Sequence, residues 1–87
     1  MSRAAVGPGS CGKMMEQLAG KVDLFITGEV RHHAALEACR HGISVVCLGH
    51  GNSERIALKP LQKMLAEKLP NLNIGISKSD RDPLEIL

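Results

Sequence analysis

Residues 22–54 read VDLFITGEVRHHAALEACRHGISVVCLGHGNSE, and two periods alternate along them. The runs 22–26 and 43–48 are short, apolar and rich in β-branched residues, as buried strands are. Between them, 30–41 carries helical spacing and stops at Gly42, where a helix C-terminal cap belongs. Two strands bridged by a helix are not hairpin partners, so they pair in parallel through a right-handed crossover. Working outward, 3–6 and 72–76 are further strand candidates, and 10–19 and 53–69 have helical spacing. Leu58, Leu61, Leu65 and Leu69 share one side of the last segment, Gly20 and Pro70 mark helix stops, and Pro60 predicts a kink. The order β-α-β-α-β-α-β predicts an α/β fold with a small, mostly parallel sheet and helices packed on its faces.

Composition narrows the function. With 87 residues, 44% hydrophobic and 23% charged, the chain is expected to form one small domain over 1–87. A chain of this size buries only roughly 60% of its unfolded surface, so a partner or a metal would add needed stability. Phe25 is the sole aromatic residue, which removes the stacking platforms of single-strand nucleic-acid binders. Eleven basic and nine acidic residues leave a charge of +2 with the basic groups scattered, giving no footprint for a phosphate backbone. No apolar run approaches the roughly eighteen residues of a membrane span, and residues 1–10 lack the blocks of a signal peptide. The expectation is a soluble, cytoplasmic protein, with nucleus or mitochondrion as other compartments, and with neither nucleic acid nor membrane as partner. Cys11, Cys39 and Cys47 are odd in number and form no CxxC pair, so reduced thiols are expected rather than a disulfide framework or zinc knuckle.

In an open parallel sheet, ligands gather at the carboxyl ends of the strands. The loops expected there are 7–12, 27–33, 49–54 and 77–83, and they hold most of the glycines and three of the four histidines. Residues 7–13 match the GxxxxGK part of a P-loop, but Met14 stands where a hydroxyl would hold magnesium. A strand-to-helix turn, with Gly9, Ser10 and Gly12 facing an anion, is the simpler account. Cys11 in that turn is read as a small packed side chain, since no base is fixed beside it. His50 and Glu54 are four residues apart and point at one spot, as an imidazole and a carboxylate sharing a divalent cation must. The alternative leaves Glu54 complementing a helix dipole beneath an Asn52 or Ser53 cap. Glu29, His32 and His33 lie at the same edge, where adjacent histidines diverge and at most one faces the site. Glu29 as a helix-terminal carboxylate and the histidines as solvated groups is the plainer account. His41 is assigned to dipole complementarity. Asp80, Arg81 and Asp82 form either a proline-ended turn or one wall of the pocket.

Together, Asp23-Leu24-Phe25-Ile26-Thr27-Gly28-Glu29, His33 and Ala35, Gly42-Ile43, Gly49-His50 with Ser53-Glu54-Arg55, and Ser79-Asp80-Arg81-Asp82-Pro83-Leu84 resemble the C-terminal half of the Nif-three-like proteins. These are also described as GTP cyclohydrolase I type-two homologues. The closing pattern is nearest to that of eukaryotic members. The resemblance implies a three-layer α/β/α fold, a dinuclear centre between two related halves, and ring-like oligomers. By motif, His50 and Glu54 carry over as ligands and His33 as a catalytic cleft residue. A histidine pair and an aspartate from an N-terminal half would complete the ligand set. The first loop departs from the family pattern, reading Val6-Gly7-Pro8-Gly9-Ser10-Cys11-Gly12 where a Cys or similar residue usually precedes a Gly-Ser-Gly turn.

The chain therefore reads as one lobe of a two-lobed metalloprotein, expected to need its N-terminal lobe or other subunits and to be inactive alone. The cofactor expected is a divalent ion, among zinc, manganese, iron and magnesium. The expected activity is metal-dependent hydrolysis of a nucleotide-like or phosphate-bearing substrate, with Gly9, Ser10, Gly12, Glu29 and Asp80 around the substrate or its anion. The competing expectation is a non-enzymatic, transcription-related adaptor that binds proteins.

Overall fold

A computed structural model describes residues 3–85. The chain divides into two compact units, Met1–Glu54 and Arg55–Leu87. The first unit holds strands β1 (Ala4–Ser10), β2 (Leu24–Glu29) and β3 (Ser44–Cys47) in one parallel sheet, ordered β1-β2-β3. A 3-10 turn, Gly12–Met14, and the one-turn helix α1, Met15–Leu18, connect β1 to β2. Helix α2, His32–Arg40, connects β2 to β3. The α/β class expected from the alternation of periods is the class found.

Register explains why one face of this sheet is covered. Ala5 pairs with Phe25 and Phe25 with Val45, so these three side chains point the same way. Met15 and Ala38 come down on Phe25 from the two helices and, with Ile43, make the buried cluster. Burying Met15, Phe25 and Ile43 contributes about 1.5–3 kcal/mol each, and this cluster is the first unit's main source of stability. The alternate residues Val6, Ile26 and Val46 also fall in register, and Val6 is 75% exposed.

The elements depart from the sequence expectation in several places, and β2 itself runs on to Glu29, beyond the expected end at residue 26. Strand β1 extends past residue 6 to Ser10, because Gly7 pairs with Thr27 and Ser10 with Glu29. It takes three steps where β2 takes two, and this one-residue bulge absorbs Pro8, which has no N–H to give a ladder. Residues 7–10 are therefore strand, which leaves no free loop to wrap a phosphate in the manner of a P-loop. The helix expected over 10–19 is reduced to the 3-10 turn and α1, and Cys11 provides no side-chain cap.

The single kinked helix expected over 53–69 is two helices, α3 (His50–Arg55) and α4 (Leu58–Lys68). Pro60 falls in the first turn of α4, where the N–H groups have no intrahelical partner, so it interrupts nothing. The fourth strand, 72–76, does not form among the described residues. Among the described residues the second unit contains no strand for it to pair with. Instead Gln62 donates to the Ile74 carbonyl at 2.7 Å, and Leu58, Leu61, Leu65, Ile74 and Ile76 line a groove of about 410 Å³.

Candidate functional site

The parallel ladder places the site. Thr27 pairs with Cys47, and the pairing runs on beyond β3: the Leu48 N–H donates to the Thr27 carbonyl at 2.9 Å and the Gly49 N–H to the Gly28 carbonyl at 2.8 Å. His50 follows immediately as the first residue of α3, which sets it beside Glu29 at the end of β2. Its Nδ1 lies 2.9 Å from Glu29 Oε1, and its Nε2 lies 3.2 Å from Glu54 Oε1, one turn along α3.

The backbone beneath is fixed by Ser53. Its hydroxyl accepts from the Gly9 N–H at 2.8 Å and donates to the His50 carbonyl at 2.8 Å, tying β1 to the first turn of α3. Gly9 has φ 70°, and a Cβ there would meet Glu54 Oε1 and His50 Nε2. A Cβ on Gly28 would strike the Gly9 carbonyl and Ser53 Oγ. Both glycines let two backbones and a helix meet at one point.

Chemically, the arrangement is an imidazole between two carboxylates. The Glu29 hydrogen bond raises the pKa of His50 above its ordinary 6.5; loss of solvent opposes this, and the charges of Glu54 and Glu29 add to the rise. His50 Nε2 and Glu54 Oε1 are paired one helical turn apart, about half exposed and against Gly9, and they are the imidazole and carboxylate donor types that suit a divalent ion. Glu29 reaches the other ring nitrogen, and among the described residues no three His, Cys, Asp or Glu converge on one point. A closed site needs ligands from outside these residues.

Over residues 1–83 the sequence matches the family described as Duf34/NIF3 (NGG1p interacting factor 3). The chain belongs to the NIF3 family. It is 42% identical over 84 residues to NIF3-like protein 1 of Rattus norvegicus, which covers 95% of the chain and 22% of the rat protein. It is 41% identical over 66 residues to the GTP cyclohydrolase 1 type 2 homolog of Archaeoglobus fulgidus, covering 76% of the chain and 27% of that protein. The crystal structure of a Bacillus cereus protein related to NIF3 superposes with a TM-score of 0.79 at 30% identity, over 94% of this chain and 24% of that one. The chain thus spans about a quarter of the length of these relatives.

The other candidates lie elsewhere in this NIF3 chain. His33 lines a cleft of about 540 Å³ with Ser10, Gly12, Lys13, Arg31 and Glu37, and its ring stands edge-on to His32 at 6.1 Å. Glu37 in that cleft is held by Arg40 and His41, so His41 bonds a side chain one turn back. The Gly9 N–H, expected to face an anion, is spent on Ser53. Asp80 is held by Arg55 through two bonds, Nε to Oδ2 at 3.0 Å and Nη2 to Oδ1 at 3.3 Å, within the second unit. Asp82 accepts from the Leu84 N–H and Ser77 from the Ser79 N–H, both as turn contacts. The Cys11 thiol donates to the Pro8 carbonyl at 3.2 Å, and all three cysteines are free. Two features escaped the sequence reading: the tie made by Ser53 and the bond from Glu29 to His50. The adjacency of β2 and β3 was the available signal, since neighbouring parallel strands end side by side. Among the described residues no helix is long and apolar enough to cross a membrane.

Proposed function

We propose that this chain supplies one side of a divalent-metal site, with His50 and Glu54 as ligands, in a metal-dependent hydrolase acting on a nucleotide-like or phosphate-bearing substrate. The observation that carries this reading is the approach of His50 Nε2 to Glu54 Oε1 at 3.2 Å, packed over Gly9, where any side chain would displace them. The name of the Archaeoglobus fulgidus relative, a GTP cyclohydrolase 1 type 2 homolog, is consistent with it. A divalent ion in such a site supplies Lewis-acid polarisation of a substrate oxygen and activates water.

The chain's own residues do the remaining work. Ser53 fixes the helical turn that presents both ligands. Lys13 and Arg31 offer positive charge to a substrate phosphate in the cleft lined by His33, which serves as acid, base or substrate contact. The remaining ligands come from another lobe or another subunit, and the working form is a homo-oligomer. Hydrolysis of a phosphoester and nucleotide panel by the longer protein, with and without manganese or zinc, tests this. Metal-dependent turnover lost in Glu54→Ala supports the reading, and turnover unaffected by that change overturns it.

A second reading, a protein-binding adaptor, is favoured by the family description as an interacting factor and by exposed apolar side chains such as Val6 and Met64, 75% and 60% exposed. No hydrolysis by the longer protein under any metal, together with capture of a protein partner lost on Val6→Asp, would favour it.

A further inference from the structure

Glu29 was expected near a substrate anion, yet its carboxylate is turned to His50 Nδ1 at 2.9 Å. An ionised carboxylate only accepts hydrogen bonds, so the proton between them sits on Nδ1. A neutral imidazole carries one N–H for two facing carboxylates, and the shorter contact, 2.9 Å to Glu29 against 3.2 Å to Glu54, holds it at Nδ1 and leaves the Nε2 lone pair on the Glu54 side. We infer that Glu29 is a positioning residue, which holds the His50 ring and selects the tautomer whose Nε2 is free to bind a divalent ion. This rests on the proposed role of His50 as a ligand.

Three features of the fold carry the inference. The β2–β3 ladder continues through Gly49 to Gly28, so the separation of Glu29 from His50 is set by backbone pairing rather than by a mobile loop. The two carboxylates occupy opposite nitrogens of one ring, so Glu29 is not placed to share an ion bound at Nε2. The Ser53 hydroxyl anchors the His50 carbonyl, which leaves ring rotation as the freedom for Glu29 to remove. Ligating histidines are commonly held this way, and losing the outer partner lowers metal affinity about 10–100-fold. Glu29 and His50 are half exposed, so the low end, about tenfold, is expected here.

The test uses the chain with 15N-labelled histidine, at a pH above the imidazole titration, and zinc chloride as probe. Long-range 1H–15N spectra, with His50 assigned by the signal missing in His50→Ala, should show the Nδ1–H form. Glu29→Ala should shift His50 toward the Nε2–H form and weaken zinc binding, followed on the same signals, about tenfold. Glu29→Gln keeps an acceptor oxygen and should retain the tautomer with a smaller loss. An unmoved tautomer in Glu29→Ala overturns the inference, whether zinc affinity is unchanged or falls as far as in His50→Ala, which would make Glu29 a ligand itself. If His50→Ala leaves zinc binding intact, the metal reading fails with it. Wild-type affinity for Glu29→Ala beside a loss in His50→Ala removes Glu29 alone.

Discussion

Ser53 Oγ accepts the Gly9 N–H at 2.8 Å across 44 residues of sequence and so joins the end of β1 to the turn of α3 that carries His50 and Glu54. Removing this hydroxyl leaves a part-buried backbone donor without its partner. Ser53→Ala is expected to lower stability by about 1–2 kcal/mol, measured by urea denaturation. The same variant should blur the His50–Glu54 geometry, seen as broadening of the His50 ring signals.

This relationship also marks how far the sequence could be read. Strands β2 and β3 were legible because Leu24-Phe25-Ile26 and Val45-Val46 are short apolar runs containing the β-branched Ile26, Val45 and Val46, and the His50–Glu54 pair because a spacing of four is local. Ser53 to Gly9 is neither: it depends on a bulge at Pro8 and on the parallel register, which no local pattern encodes. Residues 72–76 mislead for the opposite reason. They carry strand composition, and a strand also needs a neighbour with which to pair.

Gly9 should be intolerant of any side chain. Its φ of 70° strains an L residue by about 1–2 kcal/mol, and the added Cβ meets the Glu54 carboxylate. Gly9→Ala is therefore expected to lose stability on that scale and also to displace Glu54 from His50. Gly28→Ala is expected to be worse, because its Cβ strikes the Gly9 backbone, which yields less readily than a side-chain end. Denaturation midpoints of the two variants give the order.

Thr27 is 1% exposed, and its hydroxyl has no hydrogen-bond partner among the described residues. Burying an unpaired hydroxyl costs about 1–3 kcal/mol, whereas valine has the same shape without that cost. Thr27→Val should raise the denaturation midpoint by an amount corresponding to about 1 kcal/mol. A fall would mean that the hydroxyl has a partner in solution.

Asp80 illustrates a motif residue whose contacts are structural. Its carboxylate is forked onto Arg55, an ion pair with both side chains partly exposed. Asp80→Ala is expected to cost at most about 1 kcal/mol, screened by salt, and to leave zinc binding at His50 unchanged. Denaturation at low and high salt reads the first, and a zinc titration reads the second.

His50 links the fold and the metal through one proton. Its pKa lies above 6.5 because Glu29 accepts from the ring; burial opposes this, and the charges of Glu54 and Glu29 add to the rise. The native state thus holds this proton more tightly than the unfolded chain. The stabilisation is complete below the ordinary imidazole value and disappears as pH rises through the raised one. A metal at Nε2 has the reverse dependence, because the proton must leave before the ion binds, so zinc affinity should climb over the same interval. An NMR titration of the His50 ring should give a midpoint above 6.5, and Glu29→Gln should lower it. The onset of zinc binding should follow the midpoint to lower pH, less the small loss of intrinsic affinity in this variant. A zinc onset that stays fixed while the His50 midpoint moves would place the ion on another group.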